Sequence, residues 1–285
     1  MFLIVILVLI YLKADISLML KLLKQINILW VIVAIVILFF SLIFSALRLG
    51  VYLAADDIHC SRYFNIALYF VGMLYNNILP GGIGGDAYKI YKISKLYQVP
   101  KLILLKIILS DRANGLLVLI LLMIVLAFFN EDIKSFSYSD ILGMLFLIVT
   151  ITTYRLVTAK ILKEKLKITI KAFKYSIIVQ VFSLISAVFV LKSLQSISYK
   201  DPQMVSYLII FMVSSIVSII PISVGNAGLR ELTFIYGSEY LGLNIDVGVI
   251  FAFVYFCINL LLSTIGIVFM HNLDAMNDYN MKERI

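Results

Sequence analysis

Three clusters in this sequence carry residues able to do chemistry, and each sits beside a long apolar run. The first is NNILPGGIGGDAYKIYK at 76–92, which sets Asn77, Pro80, Gly81, Gly82, Gly84, Gly85 and Asp86 ahead of a row of lysines. Successive glycines allow close backbone approach and positive φ, so their N–H groups can form an anion-binding concavity. A helix starting near Asp86 would add the positive end of its dipole. That reading is a cradle for a lipid phosphate; the plainer alternative is a flexible helix start capped by Asp86. The stretch is not a dinucleotide fingerprint, because no strand precedes it, and not a P-loop, because no Gly-Lys-Ser/Thr follows.

The second cluster is Asp111–Arg112, which opens the apolar run 107–129, and the third is Arg230–Glu231, which follows Gly225 and Gly228. Charge at membrane depth is costly and by default faces a partner or a cavity. The arginine fork suits a phosphodiester, to which it can give two parallel hydrogen bonds. Both pairs could instead lie at the membrane interface and simply be solvated. Arg48, ending the run 28–47, reads as a snorkelling cation. Asp56–Asp57 could hold a divalent metal for sugar transfer, although a solvated loop is the simpler reading. His59 and Cys60 lack ligand-spaced companions and His271 lies beyond the last apolar run, so no metal site is expected. No nucleophile–base pair can be named. No catalytic residue and no cofactor are therefore expected.

The elements that must position these clusters are membrane helices. The chain has 285 residues, 63% of them hydrophobic and 14% charged, with a mean hydropathy of +1.07. A soluble domain carries about a quarter charged residues. Apolar segments recur at 1–12, 28–47, 63–79, 107–129, 141–159, 173–191, 204–221 and 247–270, with a half-apolar piece at 228–242. They lack the period-two alternation of a membrane barrel, and backbone in lipid must satisfy its own hydrogen bonds. The expected fold is all-α: one polytopic domain over 1–285 with about 7–8 transmembrane helices of roughly 20 residues each. The opening MFLIVILVLIYLKAD reads as a short first membrane segment, since it lacks the basic start and cleavage site of a signal peptide.

Lysine and arginine mark cytoplasmic connections. By that rule 13–24, 86–106 and 155–174 lie inside, and 48–62, 130–140 and 192–201 outside. An internal echo divides the chain into halves of about 1–130 and 141–285. VGMLYNNILPGGIGG at 71–85 and MVSSIVSIIPISVGN at 212–226 each end an apolar segment in Pro and Gly, and charged residues follow each. Proline and glycine at matching places in two halves point to broken or re-entrant helices around a midplane site, while two ordinary helix ends would look similar.

Taken in order, Arg48, then Asn77, Pro80, Gly85 and Asp86, then Asp111–Arg112, then Pro221, Gly225, Gly228, Arg230 and Glu231, the chain resembles the lysylphosphatidylglycerol synthase transmembrane-region family over nearly its whole length. The resemblance implies a polytopic lipid-handling domain with two broken or re-entrant regions around a headgroup cavity. It implies substrate-binding roles for Asp86, Arg112, Arg230 and Glu231. Two motifs depart from the family pattern: Asp111–Arg112 stands where Glu-Arg is usual, and Gly225–Asn226–Ala227–Gly228 stands where Gly-Gly-x-Gly is usual. The soluble aminoacyltransferase domain of bifunctional members is not in the sequence, so a complete lysyl-lipid synthase is not expected. The expected function is translocation of an anionic, aminoacylated or polyprenyl-phosphate-linked lipid in the plasma membrane. The alternative is a membrane glycosyltransferase, or its accessory subunit, using a polyprenyl-phosphate sugar. Expected partners are a lipid with a phosphate headgroup, a glycosyltransferase or aminoacyltransferase, and a second copy of the chain, with no nucleic acid.

Overall fold

The computed structural model describes residues 16–79, 83–130, 139–161, 166–195, 203–219, 228–271 and 273, and all regular structure among them is helical. The helices are α1 (Ile16–Lys24), α2 (Ile28–Ala55), α3 (Arg62–Ile78), α4 (Gly84–Tyr97), α5 (Lys101–Phe128) and α6 (Ser139–Leu156, continued by a π-turn Val157–Ile161). They continue as α7 (Leu166–Ser193), α8 (Gln203–Val217), α9 (Leu229–Tyr240), α10 (Ile245–Ser263) and α11 (Ile265–Met270). Helices α2, α5, α7 and the run α10–α11 are long and apolar enough to cross a bilayer. The chain is an all-helical membrane protein. Helices α3, α4, α8 and α9 have 17, 14, 15 and 12 residues, short of the roughly 20 that a full crossing needs. Segment 1–12 and the turn residues Pro80, Gly81, Gly82, Pro221, Gly225, Asn226 and Ala227 lie outside the described residues.

The spine is the antiparallel pair α2 and α7. Small residues let the two backbones approach: Ser41 Oγ donates to the Val179 carbonyl at 2.9 Å and Ser186 Oγ to that of Ala34 at 2.9 Å. The Asn27 N–H donates to the Ser193 carbonyl at 2.8 Å, which puts the start of α2 beside the end of α7. At the opposite end of the spine one apolar cluster joins Tyr52, Leu53 and Ile58 to Phe64, Ile93, Leu104 and Ala172. The connections 56–61 and 98–100 and the start of α7 therefore share one end of the molecule. Arg62, Lys95, Lys101, Lys171 and Lys174 flank it, so it is called the basic end below.

Between these ends sit two helical hairpins. Helix α4 returns along α3, with the Tyr75 and Tyr88 rings stacked at 4.5 Å near the tip and Phe64 against Tyr97 at 6.2 Å near the base. A Cβ on Gly85 would lie 1.8 Å from the Gly72 carbonyl oxygen, so only glycine permits this backbone contact. Helix α9 returns along α8, with Gly237 against Ile210. The base of this second hairpin lies at the other end of the molecule. There Asn130 Nδ2 donates to Ser206 Oγ at 2.7 Å and the Tyr207 hydroxyl donates to the Asn244 carbonyl at 2.8 Å. The hairpins thus start from opposite ends and point towards each other.

This packing corrects the side assignment read from charge. Connections 48–62 and 86–106 were expected on opposite sides, but 56–61 and 98–100 cluster together at the basic end, with residues 166–174. The end of α1 lies at the other end, where Gln195 Nε2 donates to the Gln25 carbonyl at 3.0 Å. The charge count takes each apolar segment as running from one end of the molecule to the other, whereas the packing brings the start of α3 and the end of α4 together at one end.

Candidate functional site

Where the two hairpins approach, a cavity of about 220 Å³ opens, lined by Tyr69, Asn76, Asn77, Lys89, Arg230, Glu231 and Asn259 among others. Tyr69, Asn76 and Asn77 come from α3, Lys89 from α4, Arg230 and Glu231 from the first turn of α9, and Asn259 from α10. Leu42, Met73 and Phe256 complete the wall.

Each polar group is held by local structure. Gly228 has φ +93°, a conformation that side chains rarely adopt, and its N–H donates to Glu231 Oε2 at 2.7 Å. That bond caps α9 and fixes the turn from which Arg230 projects. The Arg230 guanidinium lies over the Tyr255 ring at 4.9 Å and the Phe211 ring at 5.7 Å. Among the described residues no carboxylate pairs with it. Lys89 is buried, with Nζ 3.3 Å from Asp86 Oδ1 and 4.4 Å from the centre of the Tyr69 ring. The other oxygen of Asp86 is held by Arg112 Nε. On α3, Asn76 Oδ1 accepts from the Gly85 N–H at 2.7 Å, which ties the hairpin tip together. The neighbouring Asn77 Nδ2 is buried without a hydrogen-bond partner among the described residues.

The expected site residues thus separate into groups. Asn77, Arg230 and Glu231 line the cavity. Asp86 and Arg112 stand behind Lys89 as an ion-paired support. Gly84 and Gly85 begin α4 and pack against Leu79 and Gly72, and the Gly85 N–H is engaged by Asn76 rather than open to an anion. Gly81 and Gly82 lie outside the described residues.

Asp111 belongs to a separate buried network. Its carboxylate receives Arg48 Nε at 2.7 Å and Nη2 at 3.1 Å, while Nη1 donates to Ser176 Oγ at 2.9 Å. Ser176 donates to Asn114 Oδ1 at 2.6 Å, and Asn114 Nδ2 to the Tyr154 hydroxyl at 2.7 Å. Four helices, α2, α5, α6 and α7, are joined by this chain of bonds. Arg48 is therefore not a snorkelling helix end: it is 6% exposed, and α2 runs on past it to Ala55. Its partner lies 63 positions away, beyond any local pattern.

Sequence reasoning also passed over Lys89, Asn76 and Asn259 as lining residues. Lys89 had a signal, its i,i+3 spacing from Asp86, but it stood in a lysine row that orientation alone explained. Asn259 offered none, being one amide in an apolar run.

The cavity offers cations and amides at the meeting point of short helices, an arrangement that can bind an anionic headgroup. Residues 1–266 match the family model described as "Lysylphosphatidylglycerol synthase TM region". No curated protein matches the chain.

Proposed function

This chain belongs to the lysylphosphatidylglycerol synthase TM region family, and from that premise we propose that it is a multi-pass plasma-membrane translocase for a lipid with a phosphate headgroup. The observation that carries the reading is the convergence of Lys89 and Arg230, from two oppositely directed hairpins, on one polar cavity. The hairpins act as re-entrant elements, and the positive-inside rule puts the basic end in the cytoplasm. Each hairpin base then faces its own leaflet and each tip reaches the midplane, as in transporters whose site lies between two half-crossing elements. A headgroup phosphate accepts from the Arg230 guanidinium and the Lys89 ammonium. Charge-assisted bonds of this kind are about twice as strong as neutral ones.

The transferase alternative needs a free carboxylate beside the donor sugar. Asp56 and Asp57 are exposed in the connection at the basic end, and both oxygens of Asp86 are already bonded to cations. No observation favours that reading over translocation.

The test is leaflet exposure of labelled lipid in proteoliposomes. Acceleration is expected for wild type, with at least a tenfold loss in Arg230→Gln and Lys89→Gln and little change in Asp57→Asn; roughly 1.4 kcal/mol corresponds to each tenfold step. No acceleration by wild type, combined with sugar release from a polyprenyl donor, would return the transferase reading.

A further inference from the structure

The charges around the cavity do not cancel, and their imbalance bears on which headgroup fits. Lys89, Arg112 and Arg230 bring three cations, while Asp86 and Glu231 bring two carboxylates. Asp86 is shared by Lys89 and Arg112. Glu231 places one oxygen on the Gly228 N–H. Among the described residues Arg230 pairs with no carboxylate, and it faces the cavity with the Tyr255 and Phe211 rings beside it. The uncompensated charge is therefore positive, and it belongs to Arg230.

The neutral groups add a second constraint. Asn77 Nδ2 is buried without a partner among the described residues. Asn259 Nδ2 is engaged by the Tyr255 carbonyl at 2.8 Å, so Asn259 presents its carboxamide oxygen as an uncharged acceptor. The Asn77 nitrogen is closed off from the cavity, so the open neutral group is the Asn259 oxygen, and a hydroxyl supplies its donor.

We propose that the cavity selects a phosphodiester monoanion carrying an uncharged, hydroxylated substituent and discriminates against the same phosphate carrying an added amine. The inference rests on the headgroup reading above and narrows it. A phosphodiester neutralises Arg230. An aminoacyl ester brings ammonium charge into the space that Lys89 and Arg230 already occupy. Glu231 is the only carboxylate lining the cavity among the described residues, and half of its acceptor capacity is spent on the cap. The shared chemistry is met by a glycerol headgroup and by a polyprenyl phosphosugar alike.

The test is equilibrium binding to the purified full chain in detergent, using short-chain phosphatidylglycerol, its lysyl ester, a short polyprenyl phosphosugar and free glycerophosphoglycerol, a diester without acyl chains. Phosphatidylglycerol or the phosphosugar should bind at least about tenfold more tightly than the lysyl ester, the order expected from one like-charge contact at partly buried depth. The two hydroxylated arms identify the source, and tight binding of glycerophosphoglycerol supports recognition through the headgroup diester itself. Asn259→Asp, which adds a carboxylate, should shift the preference about tenfold towards the lysyl ester. Equal or tighter binding of the lysyl ester by wild type overturns the proposal, as does binding of none of the four. Leaflet exposure measured on the same preparation separates the two readings. Selective binding without exposure sinks translocation and leaves selectivity standing. Equal exposure of both lipids sinks selectivity and leaves translocation standing.

Discussion

Arg48 and Asp111 form a buried bidentate pair, with Ser176 accepting from Arg48 Nη1 and donating in turn to Asn114. Gly115 makes the room: a Cβ there would come within 2.8 Å of Arg48 Nη1. Removing one member of such a pair strands a charge and costs roughly 3–5 kcal/mol, whereas replacing both with apolar residues of similar volume is often neutral. Arg48→Met should therefore lower the thermal unfolding midpoint in detergent sharply, and Arg48→Met with Asp111→Leu should recover most of the loss. Additive losses in the double variant would mean that the two side chains act separately. Gly228 makes a different demand. Its φ of +93° is set by the turn that presents Arg230, and a side chain there costs roughly 1–3 kcal/mol. Gly228→Ala should weaken lipid binding in protein that still folds, and a dissociation constant equal to wild type would contradict the role given to that turn.

At the scale of elements, the α3–α4 hairpin depends on contact between Gly72 and Gly85. Cysteines placed at Tyr75 and Tyr88, whose rings stack at 4.5 Å, should cross-link readily, and Gly85→Ala should suppress the cross-link by forcing the helices apart. Unchanged cross-linking in Gly85→Ala would show that the tip tolerates a side chain. The helical nature of α3 was legible, because an apolar run without period-two alternation can satisfy its backbone in lipid only as a helix. Its direction was not. A run of 17 residues and a run of 20 look alike in composition, and the charge count treats both as crossings. The extent of α2 was hidden for a related reason. Arg48 reads as the end of an apolar run until its neutralising partner, on α5, is known. In the cavity, Arg230 and Glu231 stood out as charges beside glycines, while Lys89 was masked by the lysines that follow it and Asn259 by the apolar run around it.

At the scale of the whole molecule, the two hairpins make the fold approximately symmetric in direction, one starting at the basic end and one at the other. Side-selective labelling of single-cysteine proteins tests that layout. The native Cys60 and a cysteine at Gln98 should react from the same side of the membrane, and a cysteine at Gln195 from the opposite side. Labelling of Cys60 and Gln98→Cys from different sides would restore the simple alternation of crossings and dismantle the hairpin. The central claim is that this layout moves a phosphate headgroup across the bilayer through the cavity of Lys89 and Arg230. It is tested most directly by reconstituting wild type and Arg230→Gln at equal density into vesicles with labelled phosphatidylglycerol and adding an impermeant quencher. Wild-type vesicles should lose inner-leaflet signal as well as outer, while Arg230→Gln vesicles lose the outer signal alone. Equal protection of the inner leaflet in both, with the same result for a polyprenyl phosphosugar, would contradict the account.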